Sequence, residues 1–142
     1  MRRSRLARGR RRRGAAVIEL ALILPVLVTI VLGCVDFGRF AYSYIAVTNA
    51  ARAGAGFASY NPYTASTHAL WEQKTREAAL AELGDAFDHE LVTIPSPVVT
   101  EEPDNFRRVQ VEVRYEFETI VSWPLLPTSM TLVRDAEMRF IR

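Results

Sequence analysis

The chain has 142 residues, room for one modest domain beside any membrane segment. Its net charge is only +2, yet eight arginines (Arg2, Arg3, Arg5, Arg8, Arg10, Arg11, Arg12 and Arg13) fall within the first thirteen residues. Subtracting these eight from the eighteen basic residues leaves ten against sixteen acidic ones, so the remainder carries −6 and disfavours polyanion binding outside the leader. A single cysteine, Cys34, excludes an intrachain disulfide, and no Cys/His group has zinc-ligand spacing.

The basic leader abuts a long apolar run. An arginine cluster in that position is more simply a cytoplasmic flank that sets topology by the positive-inside rule, carried by Arg10, Arg11, Arg12 and Arg13, than a nucleic-acid arm. No nucleic-acid partner is expected.

Residues 15–35 read AAVIELALILPVLVTIVLGCV, twenty-one residues with one charge, Glu19. That length lets a helix cross a hydrocarbon layer of about 30 Å. A chain of this size has too little interior to cover a helix that is apolar on every side, so the bilayer is the expected solvent. Pro25 removes one helical hydrogen bond and predicts a bend near Leu22 to Pro25. A carboxylate within the run costs a few kcal/mol unless Glu19 is paired, protonated or held near headgroups.

Beyond the run, Phe37, Phe40, Ala41, Tyr44, Val47, Thr48, Ala51, Ala55 and Ala58 recur at three- and four-residue intervals. The helix is expected to continue as an amphipathic rod and to stop near Tyr60, Asn61 and Pro62. Gly38, Ala50, Ala51, Ala53, Gly54, Ala55 and Gly56 permit close backbone approach, either by a second helix or by the chain's own domain. The second use is favoured, because a downstream sheet needs a helix over its apolar face.

Residues 61–68 read as a loop, and residues 69–88 as a second helix whose apolar side is Trp71, Ala78, Leu80, Leu83 and Phe87. Pro95, Pro97 and Pro103 break the next stretch, leaving residues 91–94 and Val98-Val99 as edge-strand material before an acidic turn at residues 101–105. That turn lacks the oxygen-ligand spacing of a calcium loop, so no metal ligand is assigned.

From Val109 to Val121 the alternation is clean, with Val109, Val111, Val113, Tyr115, Phe117 and Val121 on one face and Gln110, Glu112, Arg114, Glu116 and Glu118 on the other. Residues 123–127, WPLLP, turn the chain. Residues 130–141 then read as a second long strand with Leu132, Ala136, Met138 and Phe140 on one side. Arg134 interrupts that side and marks a bulge or an edge.

The expected architecture is α+β: a long N-terminal transmembrane and amphipathic helix, a second helix, and a small antiparallel sheet. The organisation is a basic leader over 1–14, a transmembrane helix over 15–35, a helix extension over 36–60 and an exported domain over 61–142. His68 and His89 lie in separate polar contexts, and no nucleophile elbow or phosphate loop occurs. No enzymatic activity and no cofactor are expected.

Gly14 followed by Ala15, Ala16, Val17, Ile18, Glu19 and an apolar helix resembles the class III signal of type IV pilin-like proteins. The resemblance implies that a membrane prepilin peptidase cuts between Gly14 and Ala15, making Glu19 the fifth mature residue, where that class carries glutamate. The segments Asp36-Phe37-Gly38-Arg39 and Asn49-Ala50-Ala51-Arg52 resemble the TadE-like family, minor pseudopilins of the tight-adherence (Tad/Flp) pilus machinery. The likeness is strong over residues 10–58 and holds only in outline beyond. More than eighty residues past the helix fit a minor or accessory subunit better than a major Flp pilin.

The resemblance implies a pilin-like fold and a single-pass protein of a prokaryotic cell membrane, with a cytoplasmic N-terminus and an extracytoplasmic domain. Its implied partners are the prepilin peptidase, other Tad pseudopilins, the Flp pilin, inner-membrane Tad assembly proteins and the lipid bilayer. Two alternatives stay open. Gly33-Cys34 after an apolar run also resembles a lipoprotein signal with Cys34 lipidated, although Leu32 and Glu19 fit it poorly. The other is an uncleaved signal-anchor protein whose exported domain binds a partner.

Overall fold

The computed structural model describes residues 5–103, 106–124 and 126–140, with side chains from Gly14 onward. The side chains of Arg10, Arg11, Arg12 and Arg13, residues Asp104 and Asn105 of the acidic turn, Leu125 and Ile141 lie outside the described residues. The elements are α1 (Arg5–Tyr60), α2 (His68–Leu83), β1 (Val92–Thr93), β2 (Val98–Glu101), β3 (Arg107–Glu118) and β4 (Ser129–Arg139). The fold is α+β: a long N-terminal apolar helix, a second helix and a small antiparallel sheet. Two units are distinguished, Met1–Gly38 and Arg39–Arg142.

In the first unit α1 runs through Pro25 without interruption. Proline has no N–H to give the Ala21 carbonyl, and the Thr29 hydroxyl donates to the Pro25 carbonyl at 2.8 Å. Thirteen large apolar side chains between Val17 and Val35 are exposed. Such a surface is incompatible with water as its only surroundings.

In the second unit β3 is the centre of the sheet. It pairs with β4 along one edge in an unbroken antiparallel register from Arg108 opposite Arg139 to Glu118 opposite Ser129. The short strands β1 and β2 share its other edge, opposite residues 114–115 and 107–110. Pro95 and Pro97 between them supply no N–H to the ladder, which keeps these two strands short. The continuous β3–β4 register settles the place of Arg134: β4 is an edge strand with no bulge, and Arg134 lies on its inner side with the guanidinium 3.9 Å from the Tyr44 ring centroid.

The alternation read for β3 holds where it matters: Val109, Val111, Val113 and Phe117 are buried. Val121 lies beyond the strand, which ends at Glu118. Val113 packs in one cluster with Val47, Ala50 and Ala51 of α1, Ala79 and Leu83 of α2 and Phe87, and Val109 and Val111 pack in a second with Ala55 and Ala58 of α1 and Trp71 of α2. Each fully buried valine contributes about 1.5–3 kcal/mol. Ala50, Ala51, Gly54 and Ala55 of the small-residue stripe therefore pack against the chain's own domain, whereas Gly38 has open space around it. At Gly54 an added Cβ would lie 3.1 Å from Val111 Cγ1 and 3.2 Å from Ala79 Cβ, so only glycine fits without displacement.

Helix α1 stops at Tyr60 because Pro62 cannot donate to the Ala58 carbonyl. The Trp71 indole N–H takes that role, donating to Ala58 O at 3.3 Å in a buried position. The Asn61 side chain donates to Phe57 O at 2.8 Å and completes the end of the helix.

Helix α2 is shorter than residues 69–88. Gly84, with φ of 65°, turns the chain out of the helix while its N–H reaches Leu80 O. Two 3-10 turns follow, Gly84–Ala86 and His89–Leu91, the second capped by the Asp88 carboxylate accepting from Glu90 N–H at 3.0 Å. The buried side of α2 is Trp71, Thr75, Ala79 and Leu83. Ala78 and Leu80 are only half-buried, and Thr75 is accommodated because its hydroxyl donates to Trp71 O at 2.8 Å. Phe37, read as part of the packed face of α1, is 72% exposed.

Candidate functional site

The chemistry-bearing residues of the sequence lie along α1. Gly14 has no heavy atom within 4 Å of a Cβ placed on it, and Ala15 and Glu19 are exposed. Ala15 and Glu19 lie within about 40° of each other around the helix, with Gly14 turned away from both. Glu19 is the sole charged residue of the apolar run, and no hydrogen bond or ion pair engages it within the described residues.

The two motif segments divide by direction. In the first, Asp36 is buried at 6% exposure, whereas Phe37 is exposed and Gly38 has open space around it. Arg39 donates through Nη1 to the Glu118 carbonyl at 3.2 Å, and its guanidinium lies 5.4 Å from the Phe117 ring centroid. In the second, Ala50 and Ala51 are wholly buried in the core, while Asn49 and Arg52 point to solvent one on each side of them. The alternation follows from helical geometry: positions 50 and 51 fall on the stripe continued by Gly54, Ala55 and Ala58, and positions 49 and 52 fall on the opposite side.

Elsewhere several ionisable groups form surface pairs. The Glu102 carboxylate accepts from Arg108 at 2.5 Å and from Arg139 at 2.8 Å, and Arg108 also reaches Glu137 at 2.7 Å. Hydrogen bonds to Glu137 and then Glu102 hold the Arg108 guanidinium above its ordinary pKa. Arg114 pairs with Glu112 on the same face. His68 sits edge-on to Tyr63 with centroids 4.7 Å apart, and His89 Nε2 lies 3.2 Å from Gly84 O. Among the described residues no group of three or more His, Cys, Asp or Glu is arranged to hold a metal ion. Cys34 is exposed on the apolar helix.

A contact that sequence reasoning missed is the one between Arg39 and the end of β3. The residues are 79 positions apart, and neither local composition nor periodicity connects them.

Residues 14–56 match the profile of the family described as TadE-like protein. Over this segment the chain is TadE-like. No curated protein and no solved structure matches the chain. The matched TadE-like segment starts at Gly14, takes in Glu19 and both motif segments, and ends at Gly56, within the small-residue stripe. It therefore spans the exposed apolar run and most of the helix that supports the sheet. The long apolar N-terminal helix has the length and composition of a single-pass membrane anchor.

Proposed function

We propose that this protein is a minor pseudopilin, a non-enzymatic assembly subunit of a Tad-type pilus system. It is anchored by α1 in the cytoplasmic membrane and matured by a prepilin peptidase that cuts between Gly14 and Ala15. The single observation that carries this reading is the Gly14-to-Glu19 stretch at the head of an apolar helix whose large side chains are exposed throughout.

The chemistry follows from the cost of Glu19. A lone carboxylate in the apolar run is expensive, and cleavage would create a free amine on Ala15 able to pair with Glu19 of a neighbouring subunit. Such a pair sets axial register between helices and removes the penalty only when a neighbour is present, which couples insertion to assembly. The arginine leader keeps the N-terminus cytoplasmic until it is removed. The α+β domain then lies on the extracytoplasmic side, where other Tad pseudopilins, the Flp pilin and inner-membrane Tad assembly proteins are its partners.

Deletion of the gene in its own host tests this function. Surface pili and surface adherence should both be lost and should return with the intact gene supplied in trans. A deletion strain that pilates and adheres normally sinks the proposal.

A further inference from the structure

Arg39 opens the second unit four positions after Val35, the last residue of the apolar run, a helical distance of about 6 Å. Arg39 bonds to the Glu118 carbonyl at 3.2 Å, and Phe40 meets Phe117 edge-on with centroids 5.6 Å apart. At the other end of β3, Arg107 donates to the Tyr63 hydroxyl at 2.9 Å, just past the end of α1. The last residue of β3 is thus at the margin of the domain where the chain enters it, and the loop of residues 119–128 starts there.

That loop, TIVSWPLLPT, contains no charged side chain. Ile120 is 62% exposed and Leu126 59% exposed, with Val121 and Trp123 half-buried between them. Three hydrogen bonds lie within the loop among its described residues. Thr119 donates to the Thr128 carbonyl from both its N–H, at 2.9 Å, and its hydroxyl, at 3.2 Å, and Leu126 N–H reaches Trp123 O at 3.3 Å.

We propose that the 119–128 loop is a membrane-interface contact, with Ile120 and Leu126 entering the headgroup region of the bilayer that α1 crosses and Trp123 at headgroup level. The proposal rests on the reading of α1 as a membrane anchor. Given that anchor, the short tether from Val35 to Arg39 holds the loop beside the bilayer at high effective concentration, which favours lipid over a diffusing protein partner. Exposed apolar side chains around a tryptophan, without charge, suit the membrane–water boundary. The contact gives the domain a second foothold on the bilayer.

The test uses the full chain with Cys34→Ala and one new cysteine at a time: Ile120→Cys, Leu126→Cys, Leu70→Cys or Val28→Cys. Each carries a nitroxide label in vesicles of phosphatidylethanolamine and phosphatidylglycerol, and electron paramagnetic resonance reads collision with oxygen against a water-soluble nickel chelate. The oxygen-to-nickel ratio at 120 and 126 should lie severalfold above that at 70 and below that at 28. Ratios at 120 and 126 equal to that at 70 overturn the proposal, as does shielding from both reagents, which marks a protein contact. A water-like ratio at 28 overturns the anchor reading itself and the loop proposal with it. In the unsubstituted chain, brominated phosphatidylcholine in the vesicles should quench Trp123, since Trp71 is buried at 4% exposure, and unchanged emission counts against the loop.

Discussion

The junction of α1, α2 and β3 at Gly54 is a quantitative test of why the helix is built from small residues. A Cβ at position 54 would stand 3.1 Å from Val111 Cγ1, 3.2 Å from Ala79 Cβ and 3.4 Å from Thr75 O. In an open helix Gly→Ala is worth about 1 kcal/mol of added stability, while overfilling a packed core costs about 1–3 kcal/mol. Gly54→Ala should therefore be neutral to destabilising by ~2 kcal/mol. Val111→Ala removes two methyl groups from a wholly buried position and should cost about 2–3 kcal/mol with its cavity. In the double variant the new methyl group enters the space Val111 vacates. Its cost should fall short of the summed single costs by ~1–2 kcal/mol, against the ~0.5 kcal/mol scatter of independent sites. Denaturant unfolding of the full chain in detergent micelles, followed by tryptophan fluorescence, measures all four corners of the cycle. Additive costs, or a Gly54→Ala variant stabilised by the full helix-propensity gain, would refute the close approach of the three elements.

Other consequences are as direct. Trp71→Phe leaves the Ala58 carbonyl without a donor and should cost about 1–3 kcal/mol, read by the same unfolding assay. Tyr44→Leu removes the ring face beneath Arg134 and should cost ~1–2 kcal/mol, whereas Tyr44→Phe keeps the face and should cost under ~0.5 kcal/mol; equal losses would dismiss the cation–π contact. Gly14→Leu should abolish maturation on an immunoblot without harming the fold, since nothing lies within 4 Å of that position, whereas Gly14→Ala should still mature. Glu19→Ala should still insert in membranes but should lower recovery of cross-linked assemblies with partner subunits; unchanged cross-linking would remove Glu19 from assembly.

Much of this architecture is legible because hydrophobic period and chain punctuation agree. The end of α1 follows from Pro62, and β3 follows from valines at every second position. Where composition and conformation part, the reading fails. Residues 69–88 are good helix formers almost throughout, yet Gly84 at positive φ ends α2 early. Phe37 fits the apolar spacing by type but is left exposed, and Thr75 is buried because its hydroxyl is satisfied within its own helix. Arg134 interrupts an apolar face without breaking the strand, because the Tyr44 ring accepts its charge. For the candidate site, the Gly14-to-Glu19 spacing and the motif residues of α1 are visible in sequence. The Arg39–Glu118 contact is not, since only tertiary folding brings those positions together.

The most direct measurement is intact mass with N-terminal sequencing of the protein made in a host with its prepilin peptidase and in one without. A mature start at Ala15 that depends on the peptidase is the expected result. An intact leader in both hosts, or a lipid on Cys34, would mean that the chain is not a processed pseudopilin.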